Sequence, residues 1–423
     1  MRVGITPLLG TLSWLRAHCA SPQFGRNVIL CACVIPQRGK SMDAFTFFNP
    51  TTLEFGAGKE PLIGVRVAGY GLKKVLLCYG SERIKRDGLF ETVTASLAEQ
   101  GVAWVELGGI VSNPVISKVR EGIGLVQAHQ VDAVLSVGGG SVLDSVKAIA
   151  AGAVYAGDVW DLFSGKARIT SALPVFAILT LAATGSEMNP GAVVTNEETK
   201  EKFFIMSPAL FPKVSIVSPV LMRSISREYL IYSASDVIAH LIEVYFTAPS
   251  YPKLQSRIVE SLIATVIETT EALLADPADD AARAQFAWAA TLALNGLTSA
   301  GAGGFSYPNH AIEHALSALY NVPHGAGLSV VVPAWMKWFH SRNLAQFERF
   351  ARTLFGVQTA EQGIAALEDW FARIGTPTRL SHLGIPETDL PAIVENARGN
   401  MAAFGLAGLY TPEVIFRVLA NAV

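Results

Sequence analysis

Asp236 and His240 stand four residues apart in SDVIAHLIEVY, and further along NHAIEHALSALYNVPHG carries His310, His314 and His324. Residues i and i+4 share one face of a helix, so the first pair projects side by side. His310 and His324 can reach the same point from a second helix and the turn after it. One carboxylate and three imidazoles form a donor set for a divalent metal, and the set suits iron and zinc alike. His314, one turn after His310, would face the same side without being needed as a ligand. An ordinary imidazole titrates near neutrality, which suits proton relay or substrate orientation. Its alternative is hydrogen-bonded support of a ligand. A lone histidine on so apolar a helix would be read as core. Four of the chain's 8 histidines fall in these two segments, which favours the metal.

A glycine-rich turn lies upstream in SVGGGSVLDSVK. Gly138, Gly139 and Gly140 end a strand-like run and Ser141 opens a helix, with Asp144 and Lys147 on it. Glycines let backbone amides approach a phosphate, and a helix N-terminus adds partial positive charge. Taken alone, the turn also reads as a tight strand-to-helix connection, and it is not the G-x-G-x-x-G fingerprint. A second turn, Thr180 to Asn189, places hydroxyls beside Gly185 at a strand end, suited to ribose or pyrophosphate oxygens or to a self-satisfied turn. Lys202 could reach the same anion, although a lone lysine is more often on the surface.

These residues need two kinds of scaffold. KKVLLCY, VAWVEL, VDAVLSVGG and PVFAILT are short apolar runs separated by amphipathic helices, the pattern of a parallel sheet. AFTFFNPTTLEFGAG reads as an edge strand and turn. After VSIVSP strands largely cease, and helical periodicity runs through REYLIYSASDVIAHLIEVYF, LQSRIVESLIATVIETTEALL, AARAQFAWAATLALNGL, HAIEHALSALY, FERFARTLF and GIAALEDWFARI. Pro323 is expected to end a helix, and Gly325 to free the backbone so that His324 turns inward. A chain of 423 residues exceeds one ordinary core, so an α/β domain over 42–221 and a helical domain over 222–423 are expected. Residues 1–41 lack clean periodicity and are expected to be a disordered or loosely packed extension. Arg2 and the apolar stretch to Leu15 resemble a signal peptide, but Arg16 and His18 interrupt it. With 51% hydrophobic and 16% charged residues and a net charge of -2, the chain is globular and offers no basic groove for nucleic acid. No stretch is long enough to span a membrane. Cys19, Cys31, Cys33 and Cys78 form no redox or zinc framework, which points to a reducing, cytoplasmic setting.

GGGSVLDSVK, TLAATGSE, DVIAH and HAIEHALSALYNVPHG, in this order, resemble the iron-containing (group III) alcohol dehydrogenases over roughly residues 43–423. The likeness is greatest to the branch of NADPH-dependent aldehyde reductases and butanol dehydrogenases. The resemblance implies an α/β N-terminal dinucleotide-binding domain, an all-helical C-terminal metal-binding domain of dehydroquinate synthase-like architecture, and a cleft site between them. It puts Asp236, His240, His310 and His324 at metal-ligand positions, with iron or zinc as the metal. His314 falls on a histidine near the nicotinamide and substrate. Gly138, Gly139, Ser141 and Asp144 fall on pyrophosphate and ribose positions, and Thr180, Thr184 and Lys202 on further cofactor contacts. It also implies a homodimer.

The metal would act as a Lewis acid on an alcohol or carbonyl oxygen while hydride passes to or from nicotinamide. NADP(H) is expected over NAD(H), because the position that is acidic in NAD-preferring relatives falls on Gly80. Ser81 there offers a donor, and Arg83 or Lys85 could meet a 2′-phosphate, while Glu82 argues the other way. Small to medium aldehydes or primary alcohols are the expected substrates, with Trp160, Phe163, Met188 and Leu316 as apolar candidates for the pocket. A metal-dependent polyol or sugar-phosphate dehydrogenase or cyclase on this scaffold is the closest rival. It would want more lysines and arginines near the ligands than these helices carry.

Overall fold

The computed structural model describes residues 41–423, so the extension expected over 1–41 lies outside the described residues apart from Ser41. The strands are β1 (Thr52–Phe55), β2 (Lys74–Tyr79), β3 (Ala103–Leu107), β4 (Ala133–Gly138), β5 (Val175–Leu179), β6 (Gly191–Asn196), β7 (Glu201–Met206) and β8 (Val214–Val217). Six of them form one sheet in the order β1-β8-β5-β4-β2-β3, and every pairing in it is parallel. Valine and leucine runs such as VLLC in β2 and AVLSV in β4 are buried on both faces, as a helix-covered parallel sheet requires. β1 is the edge strand that the sequence suggests.

The chain leaves β2 toward β3 on one side and returns to place β4 on the other. Their carboxyl ends therefore splay at a topological switch point, where open parallel sheets bind ligands. Gly80 follows β2 there, and Gly138 ends β4. The helix Gly140–Gly152 starts directly from β4. A Cβ on Gly140 would stand 2.5 Å from the Thr184 side chain, so glycine is what lets the two polar turns pack against each other.

β6 and β7 form a separate antiparallel hairpin that the sequence reading passes over. Its β-branched and aromatic residues, AVVT and KFFIM, flank a turn in which Lys200 takes a φ of 57°. The hairpin carries Lys202 into the protein, where it is 3% exposed, unlike the general run of lone lysines.

Beyond β8 the described chain is helical. Arg227–Thr247 starts at Ser226, whose hydroxyl accepts from the Tyr229 amide, and Asp279 caps Asp280–Ala293 in the same way. One sequence expectation fails at His324. It is the first residue of a 16-residue helix, His324–Phe339, and not part of a turn. The SVVVPAW stretch and its interior Pro333 hid that helix. A mid-helix proline costs about 3 kcal/mol, and the burial of Val330, Val331, Val332, Trp335 and Met336 offsets it. Gly325 has no positive φ. A Cβ there would lie 2.0 Å from the Tyr232 carbonyl oxygen, so glycine permits close crossing of two helices rather than a backbone turn. No helix among the described residues is long and apolar enough to cross a membrane.

Candidate metal centre and nucleotide cleft

One cleft of about 2060 Å³ runs from the switch point of the sheet to the helical half. Gly80, Ser81, Gly138, Gly139, Ser141, Asp144, Thr180, Thr184 and Lys202 line it from the α/β side. Asp236, His240, His310, His314 and His324 line it from the helices. The metal-ligand, His314 and cofactor candidates singled out in the sequence thus share one cavity.

At its helical end three imidazoles converge on one oxygen. His240 Nε2 lies 3.6 Å from Asp236 Oδ1, and His310 Nε2 and His324 Nε2 each lie 3.7 Å from it. Ligands ~2.1 Å from a tetrahedral ion stand ~3.4 Å apart, close to this spacing. Asp236 Oδ1 and His310 Nε2 are buried without a hydrogen-bond partner, a costly arrangement that a cation would relieve. These residues fit a divalent metal. The electrostatics of Asp236 and His240 suit ligands, whereas those of His310 hold a proton that a bound cation would displace. Burial works against the Asp236 charge, but His240 and the other imidazoles outweigh it and hold the carboxyl well below its usual range. Burial pushes His240 down to about 3, so it presents a neutral nitrogen. Burial also disfavours charge on His310, yet Glu243 and Asp236 prevail and hold its proton up to about 10.

Two buried glutamates escaped the sequence reading. Glu243 meets His310 Nδ1 and also accepts from the backbone amides of Asn309 and His310 at the start of their helix. Glu313 meets His324 Nδ1 and accepts from the Ser317 hydroxyl. Carboxylates on the far nitrogen fix the tautomer and ring orientation of a metal-binding histidine. A signal was present: both glutamates sit on strongly apolar helices, where a carboxylate needs a partner.

His314 Nδ1 lies 3.1 Å from the Lys202 carbonyl oxygen, which sets Nδ1 as the donor and leaves Nε2 as an acceptor. Burial, the Lys202 ammonium and the neighbouring imidazoles push its titration well below the ordinary range. The expectation of an imidazole titrating near neutrality therefore fails, because desolvation and like charge both oppose the proton. Lys202 is not extended toward the glycine turn. Its Nζ lies 3.1 Å from Asn113 Oδ1, 3.6 Å from Glu313 Oε2 and 3.5 Å from His324 Nδ1.

At the other end, the Gly140–Gly152 helix has no side-chain cap, so its first amides face the cleft and suit a phosphate. Asp144 lines the cleft half-buried, and its carboxylate accepts from Ser186 Oγ at 2.8 Å and the Val193 amide at 3.0 Å. Lys147 reaches the carbonyl oxygens of Ser186, Asn189 and Gly191 at 2.7 to 2.8 Å. This pair braces the second turn. Near Gly80, Lys85 is already engaged by Glu106 and Glu82, and Arg83 by Asp87 and the Ser224 carbonyl. Neither cation stands free for a phosphate.

The apolar candidates are misplaced in the sequence reading. Trp160 stacks on Phe163 and Phe203 at 5.4 and 5.5 Å, and Phe163 and Leu316 are buried in the cores of their own domains. None of Trp160, Phe163, Met188 and Leu316 lines the cleft. Phe204, Phe305, Tyr307 and Phe404 line it instead, with Phe45, Phe47 and Phe48 from the extended segment ahead of β1. Asn49 holds that segment down by donating to the carbonyls of Met188 and Asn295 at 2.8 and 3.1 Å. Helical and strand periodicity finds core positions and is blind to such cover segments.

Comparison with known proteins agrees with this architecture. Residues 50–219 match the family described as iron-containing alcohol dehydrogenase, and residues 230–422 match the C-terminal domain of the same family. A probable NADH-dependent butanol dehydrogenase 1 of Bacillus subtilis is 40% identical over 89% of this chain and 99% of its own length. The NADPH-dependent aldehyde reductase YqhD of Escherichia coli is 32% identical over 84% of this chain and 92% of its own. A crystal structure of NADH-dependent butanol dehydrogenase A from Thermotoga maritima, 44% identical, superposes with a TM-score of 0.88 over 90% of this chain and 99% of that one.

Proposed function

The chain belongs to the iron-containing alcohol dehydrogenase family, and we propose that it is a metal-dependent, NAD(P)H-linked reductase of small to medium aldehydes that also oxidises the corresponding primary alcohols. The observation that carries this reading is the single cleft joining an uncapped helix N-terminus at a sheet switch point to an Asp236–His240–His310–His324 cluster in which Asp236 Oδ1 and His310 Nε2 are buried without a hydrogen-bond partner. A divalent ion held by those four side chains, iron or zinc, supplies Lewis acidity toward a carbonyl oxygen. The reduced nicotinamide supplies the hydride.

The chain's own residues do the rest. The amides of Gly140 and Ser141, with the Thr180 and Thr184 hydroxyls, anchor the diphosphate and ribose, which sets the reach of the nicotinamide toward the metal end. His314, held by the Lys202 carbonyl, presents a neutral Nε2 that accepts a hydrogen bond from the hydroxyl of the alcohol and so orients that oxygen. The low affinity of this imidazole for a proton favours orientation over proton donation. Phe204, Phe305, Tyr307 and Phe404 exclude water and match an alkyl chain without supplying fixed charge, which favours simple aldehydes over sugar phosphates. NADP(H) is the proposed cofactor, because no carboxylate stands at position 80 to repel a 2′-phosphate. The engagement of Lys85 by Glu106 makes that preference small, and the butanol dehydrogenase relatives are named for NADH. A homodimer and a cytoplasmic location complete the proposal.

The test is an NAD(P)H-linked assay across butanal, longer aldehydes, a hydroxyaldehyde and a sugar phosphate, with metal-loaded and chelator-stripped protein. Turnover of simple aldehydes that requires metal is the expected result. Strong preference for the sugar phosphate would overturn the substrate class, and full activity without metal would overturn the mechanism.

A further inference from the structure

Lys202 stands on β7, in the α/β half of the molecule, yet its ammonium is buried against the helical half. Its neighbours are specific. Glu313 Oε2 lies 3.6 Å away, and the same oxygen meets His324 Nδ1. Asn113 Oδ1 accepts from Lys202 at 3.1 Å, while Asn113 Nδ2 donates to Asn321 Oδ1 at 3.2 Å and to the Val322 carbonyl at 3.0 Å, immediately ahead of Pro323 and His324. Asn113 belongs to the loop after β3 and holds a φ of 52°, so the bracket comes from two separate pieces of the nucleotide-binding half. His324 is the most exposed of the four candidate ligands, with a side chain 24% accessible against 5, 6 and 9% for Asp236, His240 and His310. It is also the first residue of its helix, where frayed geometry is cheapest.

We propose that Lys202 is a positioning residue of the metal site: by holding the Glu313 carboxylate on His324 Nδ1, it lets the nucleotide-binding half set the orientation of the fourth ligand. Glu243, the equivalent support of His310, lies wholly within the helical half and takes its further hydrogen bonds from that half alone. The two supported ligands thus differ in kind: His310 is fixed locally and His324 is fixed across the cleft. This inference rests on the four-ligand metal reading above. It assigns the Lys202 ammonium to the metal site, where the family resemblance puts it among the cofactor contacts.

The experiment measures zinc affinity of the full-length protein, stripped and then titrated against a chromophoric chelator, in wild type, Lys202→Met, Lys202→Arg, Glu313→Gln and the Lys202→Met/Glu313→Gln double variant. Loss of the partner behind a metal-bound histidine costs roughly 10- to 100-fold in metal affinity. Lys202→Met and Glu313→Gln should each weaken zinc within that range. The double variant should be no weaker than Glu313→Gln alone, because the two act through one contact. Lys202→Arg should recover most of the affinity. The double variant removes both buried charges together, so it keeps the test open if a single variant does not fold. Zinc affinity within twofold of wild type in Lys202→Met or in the double variant would overturn the proposal. A wild type that binds neither zinc nor iron would overturn the metal reading itself, and this inference with it.

Discussion

At one end of the cleft Asp236 Oδ1 and His310 Nε2 are buried with no partner, whereas at the other end the Lys147 ammonium lies within 3.3 Å of five oxygens, on Ser186, Asn189 and Gly191. Both ends bury charge in motifs that look equally functional in the sequence. The proposed metal end leaves Asp236 Oδ1 and His310 Nε2 without hydrogen-bond partners and braces His310 and His324 from behind with Glu243 and Glu313, an arrangement that suits a cation. The nucleotide end spends its charged side chains on the protein itself and offers the ligand mainly backbone amides and hydroxyls. Buried charge thus marks a ligand site where it is unpartnered, and a scaffold where it is saturated.

The sharpest way to break this contrast is at the metal end. His324→Ala or Asp236→Ala should abolish stoichiometric metal and lower aldehyde reduction by more than about a thousandfold, since Lewis-acid stabilisation is worth several kcal/mol. The stripped variants should still fold and bind the nicotinamide nucleotide. Metal analysis, thermal melts and nucleotide titration check the three parts. Collapse of the fold would show that these residues are structural after all.

Lys147→Met tests the saturated end. It should retain metal but cost roughly 3 kcal/mol or more of folding stability, because several buried oxygens lose their donor at once. The pH dependence has a definite sign. Burial lowers Lys147 from 10.5 to about 8, so between those values the unfolded chain binds the proton that the folded chain has released. Wild type therefore gains stability from this group as pH rises through that window, and the variant cannot. The gap between them in denaturant melts should widen from pH 8 to pH 10. A constant gap would mean that the ammonium keeps its charge throughout.

How much of this could be read from the chain follows the same division. Metal-ligating types at helical spacing announce themselves, and the five Asp and His residues that line the helical half of the cleft were legible. Hydroxyl and glycine turns mark the switch point of the sheet, so the nucleotide end was legible as a place. The β6–β7 hairpin was not, because a short antiparallel pair inside an α/β pattern carries no long periodicity, and with it the buried position of Lys202 was lost. The His324–Phe339 helix was masked by Pro333. The pocket lining failed for a different reason. Trp160 and Leu316 sit near the motifs in sequence, but which way a side chain faces is decided by tertiary packing, and Phe45 and Phe404 come from opposite ends of the described chain.

A smaller effect is expected at His314, which we propose stands beside the ligands without being one. His314→Ala should keep stoichiometric metal and lower kcat by about a hundredfold, ~2.7 kcal/mol, the low end of what a positioned imidazole contributes. His314→Gln should recover part of it if orientation through an acceptor is the role. Loss of metal in His314→Ala would move this residue into the ligand set and blur the boundary between the two ends.

The smallest expected effect lies at the rim of the nucleotide end. Gly80 follows β2 at the switch point, and an added Cβ would stand 3.1 Å from the Ile110 carbonyl oxygen, so a side chain fits only with a small adjustment. Gly80→Asp puts a carboxylate where a 2′-phosphate would be repelled and a ribose hydroxyl accepted. The ratio of kcat/KM for NADPH to that for NADH should fall by about tenfold, ~1.4 kcal/mol, with Gly80→Ser as the steric control. Wild type itself should prefer NADPH by less than about tenfold, because repulsion is absent but Arg83 is engaged by Asp87 and Lys85 by Glu106 and Glu82. Glu106→Gln would then release Lys85 and raise the NADPH preference. If Gly80→Asp and Glu106→Gln both leave the ratio unchanged, the adenosine ribose does not lie beside β2, and the cofactor must cross the sheet elsewhere along the cleft.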